Sequence, residues 1–594
     1  MCAIFGIVGA YDESAARRAF ATLAHRGPDA EGVIAEKGLF LAHRRLGIID
    51  PLPEADQPMS AEGITILLNG EIYNYRELRE ELGCRFDTKS DTEVALRAFL
   101  EWGEEMPGKI RGMYAMALYG EGALHLFRDP FGKKPLYWSR RGDTFIFSSE
   151  IGAIRSFFGD IPLSRERICS YLSFQSSVSP STLYPGIHQL EPGGYLRYEN
   201  GDVEISVRDQ LIVPRRYDLL EAEEVEELIA ESVGYRLVSD VPVGALLSGG
   251  VDSSLVAAVA QRMMPQPLPT FTVGYEGYRK YDERRFAEKV AEHIGSDHRE
   301  FVMGVDDFLE SADELFEHLD EPLGDPAAIP LWFLSRRVKE SGVKVLLSGD
   351  GADELFFGYR PYYEMADIER AEDLKYRNWL RNYFRSNYSP NREWEWYKRI
   401  FDGSVLFRSS AELFTDLQQN RLLKQNVKDD TSLRWIGGYI ERFGKPAGPQ
   451  WFTYIDFKVQ LAEVFLKKLD RVTMAHGLEA RSPFLDRKFV TELLSSDAGW
   501  RMGESPKWLL KEVAAKYLPS FIVERKKKGF SYPYMEWLHL SGGFETVHRV
   551  NRELNLFSGE QISFLMERSK KGRFKHHLYA VWSLCKWLEK DMKL

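Results

Sequence analysis

The sequence predicts two folds in tandem: packed antiparallel sheets flanked by helices over residues 1–208, then a doubly wound parallel sheet with a helical C-terminal part over 209–594. Three observations predict this. Short alternating or apolar runs, punctuated by Gly, Asp, Asn and Pro, recur through the first 200 residues. Past residue 240, two units share the order apolar strand, Gly/Ser turn, helix. Beyond residue 360 the chain reads as mostly helical and is rich in aromatics.

The elements follow in order. Strand candidates are "AIFGIVGA", "LFLAHRRLGIID", "GITILLNGE", "GMYAMALYG", "ALHLFRDP", "DTFIFSSE" and "GGYLRYENG", interrupted by two helical segments, "YRELREEL" and "SDTEVALRAFLEWG". The character changes through "ISVRDQLIVPRRYDLLEA". The helix "EAEEVEELIAESVGYRLV" follows, with acids at its start, where the helix dipole favours them. "VPVGALLSGGVDSSLVAAVAQRM" and "GVKVLLSGDGADELFFGY" each read as strand, turn and helix. Between them lie a strand in "PTFTVGYE", a helix in "DERRFAEKVAEHIG" and a strand in "HREFVM". Alternating β and α indicate a parallel sheet.

At 594 residues the chain exceeds a single core. With 44% hydrophobic and 28% charged residues it has the composition of a globular protein. A net charge of -11 argues against broad nucleic-acid binding. The four cysteines form no CxxC pair and no metal spacing, which points to a reducing compartment. No signal peptide and no membrane-length apolar run is read, so the expectation is a cytoplasmic protein with no membrane partner.

"SGGVDSS" is the most specific local signal. Gly249 and Gly250 let the backbone approach a ligand, N–H groups at the helix start point at an anion, and Ser248, Ser253 and Ser254 add hydroxyls. The spacing is not that of a Walker A loop. Asp252 lies inside the loop. A carboxylate beside phosphates needs a cation between them, so Asp252 is read as a Mg²⁺ ligand. "SGDGADE" supplies Asp353 as the second such ligand and Asp350 as a candidate for acid/base or intermediate-positioning work. At the other end stands Cys2. Removal of Met1 would leave its thiol beside a free α-amine, an activated nucleophile.

The loop resembles the pyrophosphate loop of ATP-pyrophosphatases. With "MCAI", "HRGPDAEG", "LAHRRLGIID", "NGEIYNY", "SDTE", "RDPFGKKPLY", "FSSE", "LDRVTMAHGLEARSPFLD" and "KKKGF" in order, nearly the whole chain resembles the glutamine-dependent asparagine synthetase family. The resemblance implies an N-terminal-nucleophile (Ntn) αββα glutaminase over 1–208 and an ATP-pyrophosphatase synthetase domain over 209–594. In it Cys2 attacks glutamine, and Asn69 with the Gly70 N–H forms the oxyanion hole. Arg45 holds the glutamine carboxylate, Asp91 and the Glu71 region hold its α-amine, and backbone of Ile48 and Ile49 lines the pocket. Leu247, Val273, Ser348 and Gly349 contact adenosine through backbone groups. Lys527 matches the family's catalytic lysine, with Lys526 and Lys528 as alternatives of register.

The implied cofactors are ATP and Mg²⁺. The implied reaction is amidation of aspartate by ammonia from glutamine, carried through an internal tunnel, by way of an acyl-adenylate. Another carboxylate acceptor, or a non-catalytic homologue, is the alternative. Relatives are often dimers, which leaves a homodimer open. The chain departs from the family at Ala3 (usually Gly), at Asp350 (Glu in several members) and at Gly152 (commonly Lys). Residues 360–450 carry no family motif, and their aromatics are read as core and helix packing.

Overall fold

The computed structural model describes residues 2–159, 161–208, 211, 219–369, 376–389, 391–424, 431–446, 448–526 and 531–592. Two six-stranded antiparallel sheets form the first domain. One runs in the order Ile187–Gln189, Tyr137–Arg141, Thr144–Ser148, Ala3–Val8, Leu39–Arg45, Ala30–Glu36. The other runs Asp202–Val207, Gly194–Glu199, Ala123–Arg128, Gly112–Gly120, Ile64–Ile72, Met59–Ala61. Successive side chains on a strand point to opposite faces. Ile4, Leu41, Leu67, Ala115, Phe145 and Phe147 therefore fill the space between the sheets. Ala3, Phe5 and Ile7 pack outward against the helices Glu13–Ala21 and Ile151–Phe158. Ile66 and Leu68 pack outward against Asp91–Trp102. The layers are thus helix, sheet, sheet, helix.

The helices Tyr75–Leu82 and Asp91–Trp102 lie where the pattern places them. Glu13–Ala21, Ile151–Phe158 and Ile168–Phe174 are additional to it. They are seven to nine residues long. Helices that short depend on tertiary packing, which a local pattern does not contain.

The second domain holds five parallel strands in the order Asp297–Met303, Pro269–Tyr275, Val243–Leu246, Val345–Leu347, Glu479–Arg481. Helices cover both faces. Ala245, Val345 and Leu347 pack with Ala222–Leu237 and Val251–Met263. Phe271 and Leu346 pack with Val305–His318 and Ala328–Glu340. The chain leaves Val243–Leu246 to one side first and returns on the other, so the switch point lies between Val243–Leu246 and Val345–Leu347. Ligands of such sheets sit in that crevice.

Two expectations need correction. The segment after Val345–Leu347 forms a single helical turn, Ala352–Leu355, entered through Gly351 at φ 96°. The helical C-terminal part contributes a fifth strand, Glu479–Arg481, three residues long and buried. A third core, around Tyr362, Trp396, Phe407, Trp451 and Phe452, holds the aromatic-rich segment together. Trp379 and Tyr376, by contrast, are exposed. Among the described residues no helix is long and apolar enough to cross a membrane.

Candidate functional site

The strand Ala3–Val8 delivers Cys2 to the edge of the inter-sheet crevice, where it is buried. The Cys2 N–H donates to Asn69 Oδ1 at 3.3 Å, and Asn69 Nδ2 donates to Ser149 Oγ at 3.4 Å. Ser149 Oγ also accepts the Ile4 N–H at 3.0 Å. Arg26, fully buried, donates from Nε to the Cys2 carbonyl at 3.2 Å. Burial pushes the Cys2 thiol up; the amino terminus, a Leu46 backbone hydrogen bond and Arg45 oppose it. A Cβ on Gly70 would lie 2.1 Å from the Met113 carbonyl, so the residue after Asn69 has to be Gly. Asn69, Gly70 and Cys2 lie together.

Arg45 is engaged with its own loop. Nη1 donates to the Leu52 carbonyl at 2.8 Å and to Asp56 Oδ1 at 2.6 Å, and Nη2 to the Ile49 and Asp50 carbonyls at 3.3 and 2.5 Å. The loop carrying Ile48 and Ile49 is fastened to the second domain by Asp240. Asp240 Oδ2 accepts the Asp50 N–H at 2.8 Å, and its own N–H donates to the Ile48 carbonyl at 3.0 Å.

Glu71 and Asp91 are both buried and act on each other electrostatically. Asp91 Oδ2 accepts the Ile72 N–H at 2.9 Å. Burial, with Glu479 adding to it, raises the Asp91 carboxyl to about 6 against the Ile72 N–H and Arg481. Burial, Glu479 and Asp91 hold Glu71 well above the usual carboxylate range.

In the second domain both loops reach the crevice. Ser248 and Ser253 hydroxyls bond at 3.0 Å, and the Gly250 N–H reaches Ser248 Oγ at 3.3 Å. Gly249 sits at φ 70°, and a Cβ there would lie 2.6 Å from Phe286. A Cβ on Gly349 would lie 2.9 Å from the Ser253 nitrogen, so the two loops touch at that point. Leu247 donates its N–H to the Phe271 carbonyl at 2.9 Å, beside the strand that carries Val273. Ser348 donates its N–H to the Arg481 carbonyl at 2.8 Å.

Asp252 and Asp353 converge on one point. Lys507 Nζ lies 2.6 and 2.7 Å from the Asp252 oxygens and 2.6 Å from Asp353 Oδ1. Two carboxylates aimed at one cation position suit Mg²⁺, which takes one or two carboxylates and completes its shell with water and phosphate oxygens. Asp350 is buried. Burial raises its carboxyl, and Lys468 and the Ser348 hydroxyl oppose that. Lys468 in turn pairs with Asp325 at 2.6 Å. Lys527 and Lys528 lie outside the described residues; Lys526 is described.

The sequence reading did not single out Lys507, Arg525 or Arg481. Arg525 donates to the Gly249 carbonyl at 2.9 Å and pairs with Glu283. It lies one residue before "KKK", and Arg481 lies inside "EARSPFLD", so both had a motif nearby. Lys507, in "SPKWLLK", had none.

The chain matches the asparagine synthase family over residues 224–589 and the glutamine amidotransferase domain family over residues 1–208. It is 34% identical over 535 residues to glutamine-hydrolysing asparagine synthetase 1 of Bacillus subtilis, covering 87% of this chain and 83% of that one. It is 29% identical over 569 residues to glutamine-hydrolysing asparagine synthetase 2 of Arabidopsis thaliana, covering 89% and 78%. Among solved structures, glutamine phosphoribosylpyrophosphate amidotransferase of B. subtilis aligns with 51% of this chain and 81% of its own at 16% identity. Its TM-score is 0.30, too low to bear on the fold.

Proposed function

This chain belongs to the glutamine-hydrolysing asparagine synthetase family, and from that premise we propose that it makes asparagine from aspartate, glutamine and ATP in the cytoplasm. Residues 1–208 are the glutaminase and 209–594 the synthetase. The observation that carries the reading is the pairing, in one chain, of a buried Cys2 against Asn69 with two aspartates converging at the switch point of a parallel sheet.

In this reading Met1 is removed and Cys2 Sγ attacks the glutamine amide carbon. The Asn69 amide and the Gly70 N–H take the charge on the amide oxygen, which is where preorganised donors act most strongly. The C–N bond breaks, ammonia leaves, and water cleaves the thioester to glutamate and a free thiol. Arg45 is the anchor for the substrate carboxylate, in exchange for Asp56 on Nη1. Asp91 and Glu71 take its ammonium.

In the synthetase domain the acceptor carboxylate attacks the α-phosphorus and pyrophosphate leaves. Backbone of Leu247, Val273, Ser348 and Gly349 lines the nucleoside end, and the Ser248–Ser253 turn faces the phosphates; Lys527, which lies outside the described residues, takes the family's role of offsetting charge on the α-phosphate. Asp252 and Asp353 hold Mg²⁺, which when bound offsets phosphate charge. Ammonia passing between the domains attacks the acyl carbon, and AMP leaves with the adenylate oxygen. Asp350, its carboxyl raised by burial, is placed to take the surplus ammonia proton, as a base nearer neutrality does best. The Lys468–Asp325 pair supports an acceptor that carries both carboxylate and ammonium groups.

The test is pyrophosphate release from ATP with ammonia supplied directly, across a panel of carboxylates. Aspartate-dependent release with asparagine as product is expected. Release only with a different carboxylate keeps the mechanism and overturns aspartate; no release with any overturns the enzyme reading.

A further inference from the structure

Glu71, assigned above to the glutamine ammonium, also meets the second domain. Arg481 closes the strand Glu479–Arg481 and is fully buried. Its Nη2 faces Glu71 Oε2 at 3.4 Å across the domain boundary. Its other nitrogens fix the guanidinium plane: Nε donates to Glu479 Oε1 at 2.5 Å, and Nη1 to the carbonyls of Arg236 and Val238 at 2.9 and 2.7 Å. Among the described residues, Arg481 Nη2, Glu71 Oε2 and the Tyr73 hydroxyl are buried polar atoms without a hydrogen-bond partner. Such atoms are costly in a dry interior unless a ligand completes them. The charges agree. Glu71, Asp91 and Glu479 bring three carboxylates to one guanidinium, while the neighbouring Arg236 is paired with Asp486 at 2.6 Å. The amino terminus acts on Glu71 at longer range. This end of the pocket is therefore suited to one more cation.

We propose that Arg481 is a positioning residue for glutamine: it holds the Glu71 carboxylate for the substrate ammonium, so that the amino-acid end of the glutaminase pocket is built by both domains. The inference rests on the glutaminase reading above. Without the guanidinium, nothing nearby offsets burial, Glu479 and Asp91, so Glu71 ionises less readily still and its hold on an ammonium weakens. A guanidinium anchored on three sides gives a fixed direction that a lysine cannot fully reproduce.

The test uses the full-length chain with Arg481→Met and Arg481→Lys, and compares glutamine with 4-carbamoylbutanoate, which lacks only the α-amine. In Arg481→Met the KM for glutamine is expected to rise roughly 10- to 100-fold, the range for losing a charged hydrogen-bonding partner. The KM for 4-carbamoylbutanoate and the kcat for both are expected to stay within about threefold of wild type, and Arg481→Lys to recover part of the loss. Equal rises for the two substrates, a fall in kcat alone, or no change overturns the proposal. A cooperative melting transition is the folding control. Where Arg481→Met does not fold, Arg481→Lys carries the comparison alone, with a selective rise in the glutamine KM expected and an unselective one overturning it. The failure of the underlying reading looks different: wild type and Cys2→Ala would then release glutamate equally.

Discussion

At the scale of single residues, Cys2 is the clearest test. The thiol lies in the first domain, and the Ser248–Ser253 and Ser348–Asp353 loops lie at the switch point of the second. Cys2→Ala is expected to reduce glutamine-dependent synthesis at least about 100-fold while ammonia-dependent synthesis stays near wild type, since loss of a nucleophile removes a whole covalent route. Coupled assays with each nitrogen source check this, and loss of both activities would count against two separate sites. Asp91 adds a pH dependence. It binds an ammonium only when ionised, and burial has raised it to about 6. The KM for glutamine is therefore expected to rise about tenfold per pH unit below pH 6, a slope absent from the KM for 4-carbamoylbutanoate, which has no ammonium to bind. Initial rates between pH 5 and pH 8 decide it. The residues that were legible in the sequence are those whose role is local: Gly249 and Gly250 beside a serine loop, or Cys2 at a chain end. Arg45 was legible as a cation but not in its engagements, since four acceptors in the 49–56 loop are a property of the folded turn. Gly152 is explained only by the structure. Asp320 accepts the Ile151 and Gly152 N–H groups at 2.8 and 2.9 Å, and a Cβ on Gly152 would lie 2.8 Å from that carboxylate.

At the scale of elements, long periodic segments were readable and short ones were not. The strand Glu479–Arg481 has three residues, one of them a glutamate and one an arginine, and nothing in that composition spells a buried strand. It forms because Leu347 pairs with Arg481 in a register the parallel sheet dictates. The ten-residue π-helix Phe457–Leu466 is equally silent in the sequence, although it buries Lys458, Gln460 and Glu463. The helix Arg487–Ser495 shows what an end of an element can hold. Asp486 caps it through the Phe489 N–H at 3.2 Å and accepts Arg111 at 2.8 Å and Arg236 at 2.6 Å. These two guanidiniums, against the cost of burial, hold its carboxyl well below the usual carboxylate range. Its contribution to stability is thus complete above about pH 4, the unfolded value, and is lost as pH falls below it. Asp486→Asn is expected to cost about 3–5 kcal/mol at pH 7, because it leaves Arg236 buried without its carboxylate. Urea unfolding of both proteins at pH 7 and pH 3.5 checks this; the difference between them shrinks at the lower pH.

At the scale of the whole molecule, a chain of buried ions joins the two domains. Arg26 pairs with Glu150 at 3.0 Å and with Asp470 at 2.8 Å; Lys134 reaches Asp470 at 3.3 Å; Arg471 pairs with Glu150 at 2.7 Å and Asp320 at 2.9 Å. Asp470→Ala leaves two buried cations short of an anion and is expected to cost about 3–5 kcal/mol. It also leaves Arg26, which holds the Cys2 carbonyl, with Glu150 as its remaining carboxylate, so glutamine turnover is expected to fall with it. Calorimetry and a glutaminase assay on one preparation check both effects. The sequence reading anticipated an antiparallel-sheet part followed by a parallel-sheet part, yet not this seam, because ion pairs between residues 444 positions apart leave no periodic trace.

The dependence on Arg481 proposed for the glutamine pocket has a bearing on synthesis of the protein itself. A ribosome delivers the cysteine domain first and reaches position 481 only after tens of seconds, at roughly 5–20 residues per second. During that interval a complete glutaminase would destroy glutamine with nowhere to send the nitrogen. On the proposed role of Arg481, a pocket whose last charged wall arrives with the partner domain binds glutamine roughly 10- to 100-fold more weakly until its ammonia has a destination.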